Sequence, residues 1–336
     1  MTAATGAAAA GGPRVTVLVP NLDQGRYLGR CLDSVLGQTD GRWHAVVADN
    51  ASSDDSVAVV RSYRDPRLRL VRRPRTVSMM ANWNLLAGEI DTEYAVLLSA
   101  DDWWEPRFLE RTVALLDAHP ESLLAAAAVR VVEGEREVEV LGLHQRWPAA
   151  RGACPPSAAL RLLLTSRNRL YIHGVLARRE VYERRPFEDS PVADWIMLVR
   201  AAGLAPVQVC PEVLACYRRH DAGHTSRADR AGLWGLELVR AWRLLAAEWA
   251  ADPPPVAGAA RLLARTFTLK LLVESYHRAC AGDREAARFQ CRLARSIAPT
   301  PGWRAFALWC ERAAGLLGAR WLRRLAPLEA RLGARW

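Results

Sequence analysis

Lysine is almost missing from this chain of 336 residues, where Lys270 stands alone among 46 basic side chains. The formal charge of +10 is therefore carried by arginine. With abundant alanine, that is what a GC-rich coding bias produces, so the excess does not in itself indicate a nucleic-acid partner, and none is expected. Also absent is any apolar run near the ~20 residues a membrane-spanning helix needs; candidates such as residues 123–129 are far shorter. The opening MTAATGAAAAGG has neither a basic n-region nor a leucine-rich core. That speaks against a secretory signal and reads as a flexible tail over residues 1–13. Seven scattered cysteines include no C-x-x-C pair, which excludes the common zinc and dithiol frameworks and fits reduced thiols in a cytoplasm. Glycine-rich phosphate loops are missing too. VPNLDQGRYL offers only Gly25, and no G-x-x-x-x-G-K-S/T occurs, which counts against dinucleotide oxidoreductases, methyltransferases and P-loop nucleotidases.

What is present is a globular composition with 51% hydrophobic residues. RVTVLVP (14–20), HAVVADN (44–50), LRLVRRP (68–74) and YAVLLSA (94–100) read as strands. Between the first two, Tyr27, Leu28, Cys31, Leu32, Val35 and Leu36 recur at helical spacing, and SDDSVAVVRSYR repeats the pattern with Ser53 or Asp54 as its N-cap. Strands alternating with helices predict an α/β fold, a Rossmann-like, mostly parallel sheet flanked by helices. Residues 123–216 mix short strands (LLAAAAVRVV, EVEVLGL, PVQVCP) with helices (PPSAALRLLLTS, DWIMLVRAAG). From about residue 230 the pattern is helical, broken at ADPPPVAG and APTPGW.

Ligands of such sheets bind beyond the carboxyl ends of the strands. Polar residues should gather there, and Asn21 and Asp23 follow the first strand, Asp49, Asn50, Ser52 and Asp54 the second, Asp101 and Asp102 the fourth. Two adjacent like charges at a strand end call for a compensating cation or access to water. Oxygen ligands without a Cys/His cluster favour Mg²⁺ or Mn²⁺ over zinc. A solvated helix cap before WWEPRFLERTVALL is the other reading of the pair.

VTVLVPNLDQGRYLGRCLDSVLGQT, AVVADNASSDDS, MMANWNLLAGEIDTEYAVLLSADDWWEP, VADWIMLVRAAG and CYRRH occur in that order. Together they resemble the family 2 glycosyltransferases, inverting enzymes of GT-A fold that use nucleotide-sugar donors. The resemblance covers residues 14–226. It implies a transferase of EC class 2.4 with a nucleotide-sugar half at 14–120 and an acceptor half at 121–228, followed by a helical region at 229–336. It implies that Pro20, Asn21, Asp23 and Asp49 contact base and ribose. Asn50 stands where many members have a second acid; Ser52 and Asp54 complete that motif or cap the next helix. Asn84 matches an amide beside the donor phosphates. Trp83 replaces the accompanying arginine, whose charge Arg72, Arg73 and Arg75 could supply unless they form a solvated loop. Asp101 and Asp102 match the metal motif, with Ser99 where relatives have an aspartate; Asp101 also faces the nucleotide sugar. His220 is the implied third ligand, with His224 weaker. Asp194 matches the base that takes the acceptor proton, or it caps its helix; Ala193 precedes it where relatives have an acid.

The implied function is transfer of a sugar to a glycan, lipid or natural-product hydroxyl, as in cell-wall or polysaccharide synthesis. A lapsed, GT-A-like scaffold or membrane-surface protein is the competing reading. Residues 303–336 are rich in tryptophan and arginine at helical spacing, which suits either peripheral contact at the inner membrane face or packing on the protein itself.

Overall fold

The computed structural model describes residues 12–165, 170–184, 186–220, 234–254 and 256–316. Residues 1–11, His224 and the stretch 317–336 lie outside the described residues. Two compact units divide the chain, one of residues 1–159 and 169–223, the other of 160–168 and 224–336.

In the first unit, β1 (Val15–Asn21), β2 (Trp43–Asp49), β3 (Leu68–Arg72) and β4 (Tyr94–Leu97) pair in parallel in the order 3-2-1-4. The crossovers are α1 (Gly25–Leu36), α2 (Ser56–Ser62) and α3 (Met79–Ala87). Val17, Leu18, Val19, Val46 and Val47 are all buried, as strands covered on both faces must be. The register sets Asn21 beside Asp49 and Asp49 beside Arg72, so the strand ends form one polar edge.

Gly25 opens α1 where that helix abuts the start of α2. A Cβ there would lie 3.0 Å from the Ser56 amide nitrogen and closer still to the Asp55 carboxylate, so only glycine fits. The N-cap position of α2 is Asp55 rather than Ser53 or Asp54. Asp54 still serves both helix starts, accepting hydrogen bonds from Ser56 N at 3.0 Å and Gly25 N at 2.8 Å.

The second half of the sheet is mixed. It comprises the two-residue β5 (Trp103–Trp104), then β6 (Leu124–Glu133), β7 (Arg136–Leu141), β8 (Val175–Arg178) and β9 (Val207–Arg219). The short β8 enters between β4 and β6, antiparallel to both. β6 and β9 are parallel to each other and so run in the direction of β4. His220, which follows β9, therefore arrives at the same edge as the residues that follow β1, β2 and β4. The aspartate pair caps no helix: α4 (Phe108–Ala118) starts further on, and Trp103 and Trp104 instead pair with Cys216 and Ala215. α6 (Glu180–Arg184) lies against β8 and α7 (Ala193–Leu204) against the turn at Ile172–Gly174, while α5 (Pro156–Thr165) is divided between the two units.

The second unit contains helices Trp234–Ala251, Ala259–Cys280, Arg284–Ile297 and Pro301–Leu316. Its first and last breaks fall at the proline-rich stretches, and Pro301 occupies a helix start, where its missing N–H costs nothing. Gly282 takes the turn between the second and third helices at φ 91°, a conformation that favours glycine. Asp283 then caps the third by accepting from Ala286 N at 3.1 Å. Among the described residues no helix is long and apolar enough to cross a membrane.

Candidate active site

The polar edge is built by short-range saturation of side chains. Asn21 Nδ2 donates to Asp49 Oδ1 and to Ser52 Oγ, each at 3.1 Å. The other Asp49 oxygen accepts from Ser52 N at 3.2 Å and lies 3.4 Å from Arg72 Nε. Ser52 Oγ also accepts from Asp23 N, and Asp23 Oδ1 accepts from Ser53 N at 2.7 Å. Asp23 and Ala51 hold φ of 52° and 61°, a left-handed conformation that L residues adopt at a cost of about 1–2 kcal/mol. The bonds around Ser52 secure it. Pro20 lies one residue inside this edge, paired with Ala48.

Two asparagines act as clamps on distant backbone. Asn50 donates to Val77 O at 2.9 Å and accepts from Val77 N at 3.0 Å, fixing the approach to α3. Asn84 does the same to Phe187, donating to its O at 2.9 Å and accepting from its N at 2.6 Å. Trp83 is buried edge-on against the Phe187 ring at 5.1 Å, so it brings packing where the family resemblance implies an arginine. Of the arginines, Arg72 is committed to Asp49 and Ser52 O, and Arg73 donates to Asn82 Oδ1. Arg75 is exposed.

The two adjacent aspartates have different surroundings. Asp101 keeps 18% of its side chain exposed and places Oδ2 2.9 Å from His220 Nε2. Asp102 is 1% exposed, accepts from Arg218 N at 2.8 Å, and lies 3.2 Å from His173 Nδ1. Burial, reinforced by neighbouring Asp101, pushes the Asp102 carboxyl well up, while burial pulls His173 down to about 4. Both shifts favour the uncharged pair. His173 also stacks on Tyr217, with centroids 5.4 Å apart, and its carbonyl accepts from Trp104 Nε1. The Arg218 guanidinium sits 4.8 Å from the ring centroids of both Tyr27 and Trp103 and donates through Nε to Asp101 O. Neither His173 nor Arg218 is singled out by sequence reasoning. Arg218 lay in CYRRH, which pointed only to its histidine, and no spacing marks His173.

Asp194 stands in the first turn of α7, half-buried. Burial pushes its carboxyl up to about 6 against the pull of the Trp195 amide. α7 packs on the turn Ile172–Gly174 that carries His173, and Asn84 fixes the segment just ahead of it.

Among the described residues no group of three His, Cys, Asp or Glu side chains is arranged as a metal site. Asp101 and His220 nevertheless suit a hard cation. Neighbouring ligands on an octahedral ion with bonds of about 2.1 Å stand about 3 Å apart, close to the 2.9 Å between their donor atoms. Such ions take one or two protein ligands and complete their shell with substrate phosphates. Asp102 is already spent on Arg218 and His173.

Solved structures share this architecture. The crystal structure of S. aureus TarS 1-349 in complex with UDP-GlcNAc superposes with a TM-score of 0.64 at 17% identity, covering 94% of this chain and 92% of that one. The mannosyltransferase PcManGT from Pyrobaculum calidifontis, in complex with GDP-Man and Mn²⁺, gives 0.53 at 21% identity, covering 91% and 87%. The fold is thus the GT-A fold with a helical C-terminal part. The family model described as Glycosyl transferase family 2 matches residues 16–184, half of the chain, and the chain belongs to that family. An uncharacterized protein of Mycobacterium tuberculosis is 29% identical over 230 residues, 66% of this chain and 63% of that protein. The chain thus spans less than two thirds of that relative's length.

Proposed function

We propose that the chain is a glycosyltransferase that moves a sugar from a nucleoside-diphosphate sugar to an acceptor hydroxyl by one inverting displacement. The observation that carries this is the meeting of Asp101 with His220 beside the polar edge of β1 and β2. In this reading the donor nucleotide lies along residues 14–120, against Pro20, Asn21, Asp23, Asp49, Asn50 and Ser52. Asp49, held by Asn21, Ser52 and Arg72, gives the floor a fixed shape. Asn84 serves by fixing the Phe187 segment. The acceptor, a glycan, lipid or natural product, lies along residues 121–228.

Asp194 takes the acceptor proton as the new glycosidic bond forms, and an acid poised near 6 is basic enough at neutral pH to do so. The departing nucleoside diphosphate needs no proton, so a second carboxylic acid of the glycosidase kind is not required. Mg²⁺ or Mn²⁺ would be held by Asp101 and His220 and would supply charge neutralisation for the departing diphosphate. Asp102 holds Arg218 and His173 in place and thereby orients both neighbours. The acceptor in this reading belongs to a cell-wall or other polysaccharide, which the name of a similar protein supports, the putative teichuronic acid biosynthesis glycosyltransferase TuaG of Bacillus subtilis.

The test is thermal stability with UDP, GDP and dTDP, each with and without Mn²⁺, for the wild type and for Asp101→Ala with His220→Ala. A ligand at about a hundred times its Kd stabilises by ~2.7 kcal/mol. The expected result is a Mn²⁺-dependent shift for one nucleotide, lost in the double variant. No shift with any of the three would overturn the reading.

A further inference from the structure

The last two described helices carry a surface that the transferase reading leaves unused. Arg288, Arg292 and Arg295 follow one another at helical spacing along helix Arg284–Ile297, within a stripe about 60° wide. They line a cleft of about 440 Å³ whose other wall, on helix Pro301–Leu316, is Leu308, Glu311 and Arg312. Glu311 lies 3.5 Å from Arg292 and 3.2 Å from Arg295, so one carboxylate answers four guanidinium groups. Arg288 and Arg312 have no partner among the described residues.

Next to this charge is an aromatic ridge. Trp309 is 55% exposed and Phe306 43%, and their rings stack with centroids 6.0 Å apart and 11° between planes. Trp309 precedes Arg312 by three positions, so the two project about 60° apart on the same helix and the ridge borders the cleft. Phe289, also exposed, lies beside Arg292 on the neighbouring helix.

We propose that this face docks on an anionic bilayer surface, with the arginines on lipid phosphates and Phe306 and Trp309 at headgroup depth. Charge complementarity alone would suit any polyanion. The adjoining exposed aromatic pair decides for the membrane, because stacked rings gain from entering an interface and gain little from a soluble phosphate polymer. Arginine suits the boundary, its stem lying along apolar surface while its head reaches phosphate. The proposal concerns the helical unit and does not depend on the reaction of the α/β unit.

Co-sedimentation of the full chain with vesicles tests it, using phosphatidylcholine alone and phosphatidylcholine with about a third phosphatidylglycerol. The wild type should bind the anionic vesicles and not the neutral ones. Each arginine beside an anionic leaflet is worth about fivefold in affinity, so Arg288→Ala with Arg312→Ala should weaken binding about thirtyfold. Phe306→Ser with Trp309→Ser should weaken it at least tenfold. All four residues are exposed, and unchanged circular-dichroism melting would show that the variants fold. Three results would each overturn the proposal: equal binding to both vesicle types, no binding to either, or variants that bind like the wild type. So would capture of soluble polyphosphate that the aromatic variant leaves untouched while anionic vesicles are not bound, since the occupant would then be a soluble polyanion.

Discussion

The carboxylate of Asp102 lies 3.2 Å from the His173 imidazole and receives the backbone N–H of Arg218 at 2.8 Å. Three remote segments thus meet on a side chain that solvent barely reaches. If shape rather than charge is what this position supplies, Asp102→Asn should stay within about 1 kcal/mol of wild-type stability. Asp102→Ala leaves the Arg218 amide without its acceptor inside the protein and should lose about 2–4 kcal/mol. Urea unfolding of the two variants checks this; equal losses would show that the negative charge itself is needed.

Asp194 should leave two opposite marks. Its carboxyl, pushed up to about 6, exceeds the usual unfolded value of about 3.9. Between those values the folded chain binds more protons, so the stability this group contributes is present below about pH 4 and is lost as pH rises through 6. Asp194→Asn should therefore be more stable than the wild type at pH 8, by about 1–2 kcal/mol allowing for partial exposure, and no more stable at pH 4. Turnover should fall by about 10²–10⁴ in the variant, and in the wild type it should drop tenfold per unit below pH 6. An active Asp194→Asn enzyme would remove the residue from the mechanism.

Asn84 reports on the segment ahead of Asp194. Both of its hydrogen bonds go to the backbone of Phe187, so Asn84→Ala should cost about 1–3 kcal/mol. Its kinetic effect should appear in kcat, because the acceptor side is loosened, with donor affinity unchanged. A rise in donor Kd with kcat intact would place Asn84 at the donor phosphates instead.

Arg218→Lys keeps a positive charge but forfeits the flat guanidinium between Tyr27 and Trp103. The loss should be about 1–2 kcal/mol in thermal unfolding. Mn²⁺-dependent nucleotide binding should weaken as well, since the Nε bond to Asp101 O disappears. A variant indistinguishable from wild type in both would make this packing incidental.

The first four strands and the helices α1 and α2 were legible because long apolar runs alternate with amphipathic ones, whereas α3, apolar on most sides, was not read as a helix; register then places Asn21 next to Asp49. The C-terminal helices announced themselves through their amphipathic repeats and the prolines at the first and last of their breaks. β5 and β8 were not legible, because β5 has only two residues and the four of β8 lack the longer apolar run that marks the equally short β4. For the same reason the antiparallel insertion that carries His173 to Asp102 had no sequence signal. The two asparagine clamps show another limit: an amide placed in a ligand-binding motif reads the same whether it faces a ligand or a backbone.

The place of β8 between β4 and β6 sets an order of assembly during synthesis. A ribosome that has completed residues 1–120 has made four parallel strands and left one side of β4 unpaired, an edge of the kind that recruits other chains. That edge closes only when Val175–Arg178 emerges, and Asp101 gains His220 later still. Shape is thus made before chemistry. A nascent chain ending anywhere before residue 220 would carry the polar edge of the first strands without the contact on which transfer is proposed to depend.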